Sequence, residues 1–284
     1  MLLLWSPIVE QMRQETAWFL QQYWLQGKSM SIFLVSDDQA SHAYVRLKQR
    51  YAKTLGLDAE IIYNPTCTTD ELLALIDQKN TDPDCLGMIV QLPLAPQLKD
   101  DQARLLSAVA PQKDLDGLNG VELGKHLVGT STFLPATPKA VLSILDYYGF
   151  GELKGKTVLI VGQSNLIGKP LAAICMSRGA TVVSCNASSD QALLSTAFTA
   201  ADIVVSATWV IHLWTETTCG NPAWLASKVL IDVWRWKKDG KPAWDIDWEY
   251  CAKHGATITP VPWGVWPVTV ASLFHNLIDL YATI

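Results

Sequence analysis

The sequence predicts an α/β protein of two units with mostly parallel sheets, and three observations carry that prediction. Short apolar runs of strand length alternate with segments whose apolar residues recur at helical spacing. One β-branched run, Lys156–Val161, enters a glycine turn that opens a helix. A further series of strand-like runs then follows at regular spacing.

Residues 8–26 (IVEQMRQETAWFLQQYWLQ) predict the first helix, and Ser31–Val35 predicts a buried strand that Asp37 and Asp38 end. Ser41–Leu55 repeats Tyr44, Leu47, Tyr51 and Leu55 at helical intervals, with Gly56 as the stop signal. Tyr44 and Lys48, four residues apart, project from one side of that helix. A strand at Glu60–Tyr63, a helix at Asp70–Lys79 and a strand at Gly87–Leu92, closed by Pro93, complete the first alternation. After Pro111 the pattern loosens into a stretch rich in Gly, Pro, Asp and Thr, which reads as a domain boundary carrying function. Pro138 suits the start of a helix running to Tyr148. Lys156–Val161, Ala180–Ser184, Ile203–Ser206, Val229–Val233 and Thr257–Thr259 then predict a second α/β unit of the dinucleotide-binding kind.

Composition narrows the function classes. With 22 basic against 27 acidic side chains, a net charge of −5 offers no general attraction to nucleic acid or an anionic membrane. The apolar opening Met1–Leu4 stops at Trp5-Ser6-Pro7 without a basic flank, so it is expected to be neither a secretory leader nor a spanning helix. The six cysteines lack the close spacing of thiolate metal or redox motifs and are expected to be reduced core residues of a cytoplasmic protein. The five histidines are scattered without an i, i+4 ligand partner, so no metal is expected.

Two sets of residues could carry chemistry. Gly162-Gln163-Ser164-Asn165-Leu166-Ile167-Gly168 follows a strand and opens a helix, where backbone N–H groups and the helix dipole can meet a pyrophosphate. Its spacing is not the usual G-x-G-x-x-G, and a purely structural turn accounts for it equally well. The second set is Ser41, Tyr44, Lys48, Gln91 and Asp116. A lysine on a mostly apolar helix sheds its charge more easily than one in water, and an amide at a strand end can hold its amine, which makes Lys48 a candidate proton shuttle. The plainer reading is a solvated lysine, a strand-end glutamine and a simple turn at Asp114–Gly117.

Four segments in order decide between these readings: Ser41–Lys48 (SHAYVRLK), Gly87–Leu94 (GMIVQLPL), Lys113–Gly117 (KDLDG) and Thr259–Pro262 (TPVP). Together they resemble the bifunctional methylenetetrahydrofolate dehydrogenase/cyclohydrolase family, over nearly the whole chain. The resemblance implies a catalytic domain at 1–118 with a C-terminal helix, 268–284, packing back on it. It also implies a Rossmann-like NAD(P)-binding domain at 119–267, a folate cleft between the two, and a homodimer. Lys48 would be the catalytic lysine, tuned by Gln91; Tyr44 would stack on the folate, Asp116 would bind the pterin edge, and Ser41, Pro262 and Val265 would line the substrate. Gly162, Gln163, Ser164, Ile167, Gly168, Ser206, Ala207 and Thr269 would face the cofactor. The implied activities are oxidation of 5,10-methylenetetrahydrofolate with NADP and hydrolysis of the methenyl product to 10-formyltetrahydrofolate.

The chain departs from the family in two ways. Where the family has glycine, it carries Trp5, Trp209, Trp234, Trp244, Trp263 and Trp266. Either indoles fill the cofactor crevice of a diverged paralogue, or UGA codons that mean glycine in the source gene have been read as tryptophan; the shared substitution type favours the second. In addition, Gln163 replaces a family arginine, and Asn186-Ala187-Ser188 replaces a more basic stretch expected at a 2′-phosphate, which opens the way to NAD. The rival readings are a cyclohydrolase-only enzyme, a non-catalytic folate-binding paralogue, and a Rossmann dehydrogenase for another substrate. The last leaves the Tyr44, Lys48, Gln91 and Asp116 arrangement without a purpose.

Overall fold

The computed structural model describes residues 1–208, 210, 213–216, 218–219, 221–233, 236–238, 241–261 and 264–282, with 236–238 and 241–243 described by backbone alone. The chain divides into two compact units, residues 10–136 with 270–284 and residues 1–9 with 137–269. Both are α/β, as the alternation of periodicities predicts.

The first half of the chain runs α1 (Ser6–Gln22), β1 (Ser29–Leu34), α2 (Gln39–Thr54), β2 (Asp58–Tyr63), α3 (Thr69–Thr81), β3 (Cys85–Val90), α4 (Gln102–Ala108), α5 (Gly120–Val128) and α6 (Ala136–Tyr147). Strands β2, β1 and β3 form a parallel sheet in that order. Strands β1 and β3 are almost wholly buried and mostly apolar, as a covered parallel sheet requires, whereas the edge strand β2 exposes Asp58, Glu60 and Tyr63. Met30, Ile32 and Leu34 accordingly join one core cluster while Phe33 and Val35 join another on the opposite face.

The second half runs β4 (Thr157–Val161), α7 (Gly168–Ser177), β5 (Thr181–Cys185), α8 (Gln191–Ala200), β6 (Ile203–Ser206), β7 (Val229–Asp232), β8 (Trp236–Lys238), β9 (Lys241–Ala243), α9 (Trp248–Lys253), β10 (Thr257–Ile258) and α10 (Val265–Tyr281). Its parallel sheet has the order β10-β7-β6-β4-β5, and β8 and β9 form an antiparallel pair. The later turns of α10 lie within unit 10–136/270–284, where Val270, Leu273, Phe274 and Leu277 enter the cluster of Met30, Ile32 and Val45.

Two local features differ from the sequence reading, and a third adds to it. The first helix ends at Gln22 rather than running to residue 26, because Trp24 takes the left-handed conformation, φ 55°, which breaks the helical hydrogen-bond ladder. The loosened stretch after Pro111 contains α5, capped by the Asn119 side chain accepting from Val121 N and closed by Gly129 at φ 72°. Met1–Leu4 has a structural purpose: Leu2 bridges Ile258, and Leu3 N donates to Ile258 O at 2.9 Å, extending the sheet past β10. All six cysteines are buried thiols. No helix among the described residues is long and apolar enough to cross a membrane.

Candidate active site

Helix α2 delivers the first group of side chains. Its N-cap, Asp38, accepts from both Ser41 N (2.7 Å) and Ser41 Oγ (2.8 Å), which fixes the first turn and sets the rotation of the residues beyond it. One turn on is Tyr44, half-buried; a further turn brings Lys48, only 2% exposed. Lys48 Nζ donates to Gln91 Oε1 at 3.0 Å and lies 4.5 Å from the centre of the Tyr44 ring. Gln91 follows β3 directly: its backbone N–H donates to Phe33 O (2.9 Å) and its Nε2 to Leu92 O (2.7 Å), so its oxygen is the atom turned to the amine. Ser41 Oγ reaches the same Leu92 carbonyl at 3.4 Å.

Burial lowers the Lys48 pKa, and the Asp116 carboxylate opposes that shift. Burial also raises the Tyr44 pKa, with Asp116 adding to the effect. Gln91 and the Tyr44 ring therefore meet at the buried Lys48 amine, with Ser41 on the Leu92 carbonyl that Gln91 also uses and the Asp116 charge acting on the amine, while burial shifts that amine toward its neutral form. A shift in that direction makes a lysine a better proton acceptor than one in water.

Asp116 owes its position to neighbours. The Asp114 carboxylate accepts from Gly117 N at 3.1 Å and Asn119 N at 2.6 Å, while Asp116 O accepts from Ala136 N at 3.1 Å. Gly117 has φ 71°, and a Cβ there would come within 2.9 Å of Pro135 Cα, so only glycine closes the turn. Asn276 of α10 donates to Leu115 O (2.9 Å) and Leu134 O (3.0 Å), pinning the turn from a distant point in the sequence. Burial pushes the Asp114 pKa up to about 7 against its backbone hydrogen bonds, with Asp116 adding like-charge repulsion. Asp114 and Asn276 escape the sequence reading. The first hides inside an ordinary turn motif, and the second has no local signal at all.

The second group belongs to unit 1–9/137–269. At the end of β4, Gly162 has φ 115°, and a Cβ there would lie 2.3 Å from Ala207 O; a Cβ on Gly168 would lie 1.8 Å from Gly162 O. Strand, turn and helix thus approach at backbone distance, as a loop cradling a pyrophosphate requires. Ser164 Oγ accepts from Ile167 N at 3.2 Å, and Ile167 is the N-cap residue of α7. Ser206 is fully buried and donates to Asp245 Oδ2 at 2.9 Å, an oxygen that also accepts from Thr208 N at 2.8 Å. Ala207 N donates to Val161 O at 2.8 Å, tying the loop after β6 to β4. Thr269 Oγ1 donates to Val265 O at 3.2 Å within α10, both residues being buried. Pro262, with Trp209, Trp234 and Trp263, lies outside the described residues. Trp5, Trp244 and Trp266 are each half-buried. These backbone contacts fit a dinucleotide at the α7 N-terminus.

Comparison with known proteins gives the family. Residues 4–116 match the catalytic domain of tetrahydrofolate dehydrogenase/cyclohydrolase, and residues 135–283 match its NAD(P)-binding domain. The chain is 37% identical over 279 residues to bifunctional protein FolD 2 of Geobacter sulfurreducens, covering 96% of this chain and 94% of that one. Among solved structures it resembles the bifunctional FolD of Campylobacter jejuni, with a TM-score of 0.86, 30% identity, and 98% and 96% of the two chains covered. It also resembles the FolD of Trypanosoma brucei complexed with NADP cofactor and an inhibitor, with a TM-score of 0.85, 28% identity, and 98% and 94% covered. The chain belongs to the tetrahydrofolate dehydrogenase/cyclohydrolase family and is an oxidoreductase and hydrolase of one-carbon folate metabolism.

Proposed function

We propose that this chain oxidises 5,10-methylenetetrahydrofolate to the methenyl cation and hydrolyses that cation to 10-formyltetrahydrofolate, with Lys48 as the proton-transferring group. The observation that carries the proposal is the buried Lys48 amine held at 3.0 Å by the Gln91 amide oxygen beside the Tyr44 ring. A nicotinamide dinucleotide, NADP by family resemblance, supplies the hydride acceptor when bound. The residues from Gly162 to Gly168, with Ser206, Ala207 and Thr269, would hold it on unit 1–9/137–269, and the folate chemistry would belong to unit 10–136/270–284.

In the hydrolytic step, water attacks the methenyl carbon and its proton passes to neutral Lys48. The carbon–nitrogen bond to N5 then breaks: Lys48 returns its proton to that nitrogen, and the carbinol hydroxyl releases its remaining proton to solvent as the formyl carbonyl forms. Gln91 orients the amine without charging it, Tyr44 stacks on the folate, Asp116 accepts from the pterin edge, and Ser41 completes the substrate contacts of that unit. The same resemblance supports a cytoplasmic homodimer, which light scattering on the purified chain tests.

The functional test is a pair of assays, methenyltetrahydrofolate hydrolysis and cofactor reduction by methylenetetrahydrofolate, on the wild type and Lys48→Met. The variant is expected to lose hydrolysis by at least about 100-fold, the scale of general acid–base catalysis. Hydrolysis at the wild-type rate would remove Lys48 from the mechanism.

A further inference from the structure

The order β10-β7-β6-β4-β5 makes β4 the strand from which the sheet winds in both directions. In such sheets a dinucleotide's pyrophosphate meets the turn after the first strand, and its adenosine ribose meets the carboxyl end of the adjacent second strand. There a carboxylate selects the free 2′-hydroxyl, and a cation selects the 2′-phosphate. In this chain the second strand is β5, which ends at Cys185.

The groups at that strand end are all neutral and satisfy one another. Gln163 Nε2 donates to Ser184 O and to Ser184 Oγ, each at 3.1 Å. Gln163 Oε1 accepts from Asn186 Nδ2 at 2.7 Å, and Asn186 Oδ1 accepts from Ser188 N at 2.8 Å. Asn186 N in turn donates to Ser189 Oγ at 2.9 Å. Residues 184–189 contain no ionisable group other than the buried Cys185 thiol. The adjoining Asp190 uses its carboxylate to cap α8, accepting from Ala192 N and Leu193 N. Lys169, in the first turn of α7, directs its amine to Asn165 Oδ1 at 2.7 Å.

We infer that the Gln163–Asn186 amide pair is the cofactor-selectivity element of this enzyme, and that it gives a 2′-phosphate no advantage, so that NAD binds at least as tightly as NADP. The inference rests on the nicotinamide-binding reading above and goes beyond it by naming the cofactor class the chain accepts. The physical reason is that a phosphate dianion leaving water needs charge-assisted bonds, and amides that already hydrogen-bond one another supply none. A free ribose hydroxyl asks only for a neutral partner, and Gln163 or Asn186 can become one by exchanging a single amide contact.

Equilibrium titration of the full chain with NADH and, separately, NADPH tests this by the change in dihydronicotinamide fluorescence. The expected result is an NADH dissociation constant no larger than that for NADPH. Gln163→Arg and, independently, Asn186→Arg are expected to tighten NADPH by about tenfold or more relative to NADH, the scale of a charge-assisted phosphate bond. NADPH bound about tenfold more tightly than NADH by the wild type would overturn the inference alone. So would a preference unchanged in both arginine variants. Binding of neither dinucleotide, with methenyltetrahydrofolate still hydrolysed, would overturn the hydride-transfer reading together with this inference.

Discussion

Lys48 Nζ and Gln91 Oε1 lie 3.0 Å apart, joining the middle of α2 to the end of β3 across 43 residues of sequence. The acceptor is an amide, so the pair orients the amine without stabilising its charge, and burial keeps the Lys48 pKa low. Gln91→Glu would place a carboxylate at the same atom and raise that pKa. The ascending limb of the pH–rate profile for methenyltetrahydrofolate hydrolysis should therefore move to higher pH in Gln91→Glu, and an unmoved limb would show that Lys48 is not the titrating base.

Lys48 also costs stability. A cation whose pKa is lower in the folded than in the unfolded state makes the unfolded chain bind more protons, so stability rises with pH up to the unfolded lysine value of about 10.4. Lys48→Met removes that penalty. The variant should unfold at a higher temperature than the wild type at neutral pH, with the gain shrinking as pH approaches about 10. Parallel thermal melts across this range check the sign.

Asp114 behaves in the opposite sense. Its folded pKa, pushed up to about 7 by burial, lies above the unfolded aspartate value of about 3.9. Its protonation favours the folded state at low pH, and that contribution is lost as pH rises from about 4 through about 7. Asp114→Asn should flatten this dependence. It should also cost about 1–3 kcal/mol at neutral pH, because an amide offers one oxygen where the carboxylate accepts from both Gly117 N and Asn119 N. Denaturant unfolding at several pH values reads both effects.

Trp24 combines φ 55° with 89% exposure, which is the situation of a glycine at a helix C-terminus. Left-handed backbone costs an L-residue about 1–2 kcal/mol, partly offset in glycine by its greater chain entropy. Trp24→Gly should therefore stabilise the protein by about 0.5–1 kcal/mol. By its backbone, Trp24 joins the six tryptophans that the family resemblance sets at glycine positions. If UGA read as tryptophan explains the set, the gene carries UGA at all seven positions; UGG codons there would sink that account.

Gly162 is constrained twice, by φ 115° and by the 2.3 Å approach of a Cβ to Ala207 O. Gly162→Ala should distort the turn at a cost of about 1–3 kcal/mol and weaken dinucleotide binding. Because the Lys48 group belongs to the other unit, methenyltetrahydrofolate hydrolysis should persist while cofactor reduction falls. Running both assays on the variant distinguishes a local effect on the turn from loss of the whole fold.

Local periodicity in the sequence determined the α/β class, the helix that carries Tyr44 and Lys48 on one side, the apolar strands, and the glycine turn opening α7. These follow from short-range stereochemistry, which a linear pattern records directly. Family resemblance singled out Lys48, Gln91 and Asp116, whose identities alone fit an ordinary solvated lysine, a strand end and a turn. Only the tertiary structure decided that Lys48 is buried, that Gln91 turns its oxygen to the amine, and that Asp114 and Asn276 hold the Asp116 turn. It also decided that Met1–Leu4 extends a sheet edge, and that the stretch after Pro111 forms α5. Desolvation and hydrogen-bond partnership depend on groups brought together from 43 residues away in one case and 161 in another, and no local pattern in the chain encodes them.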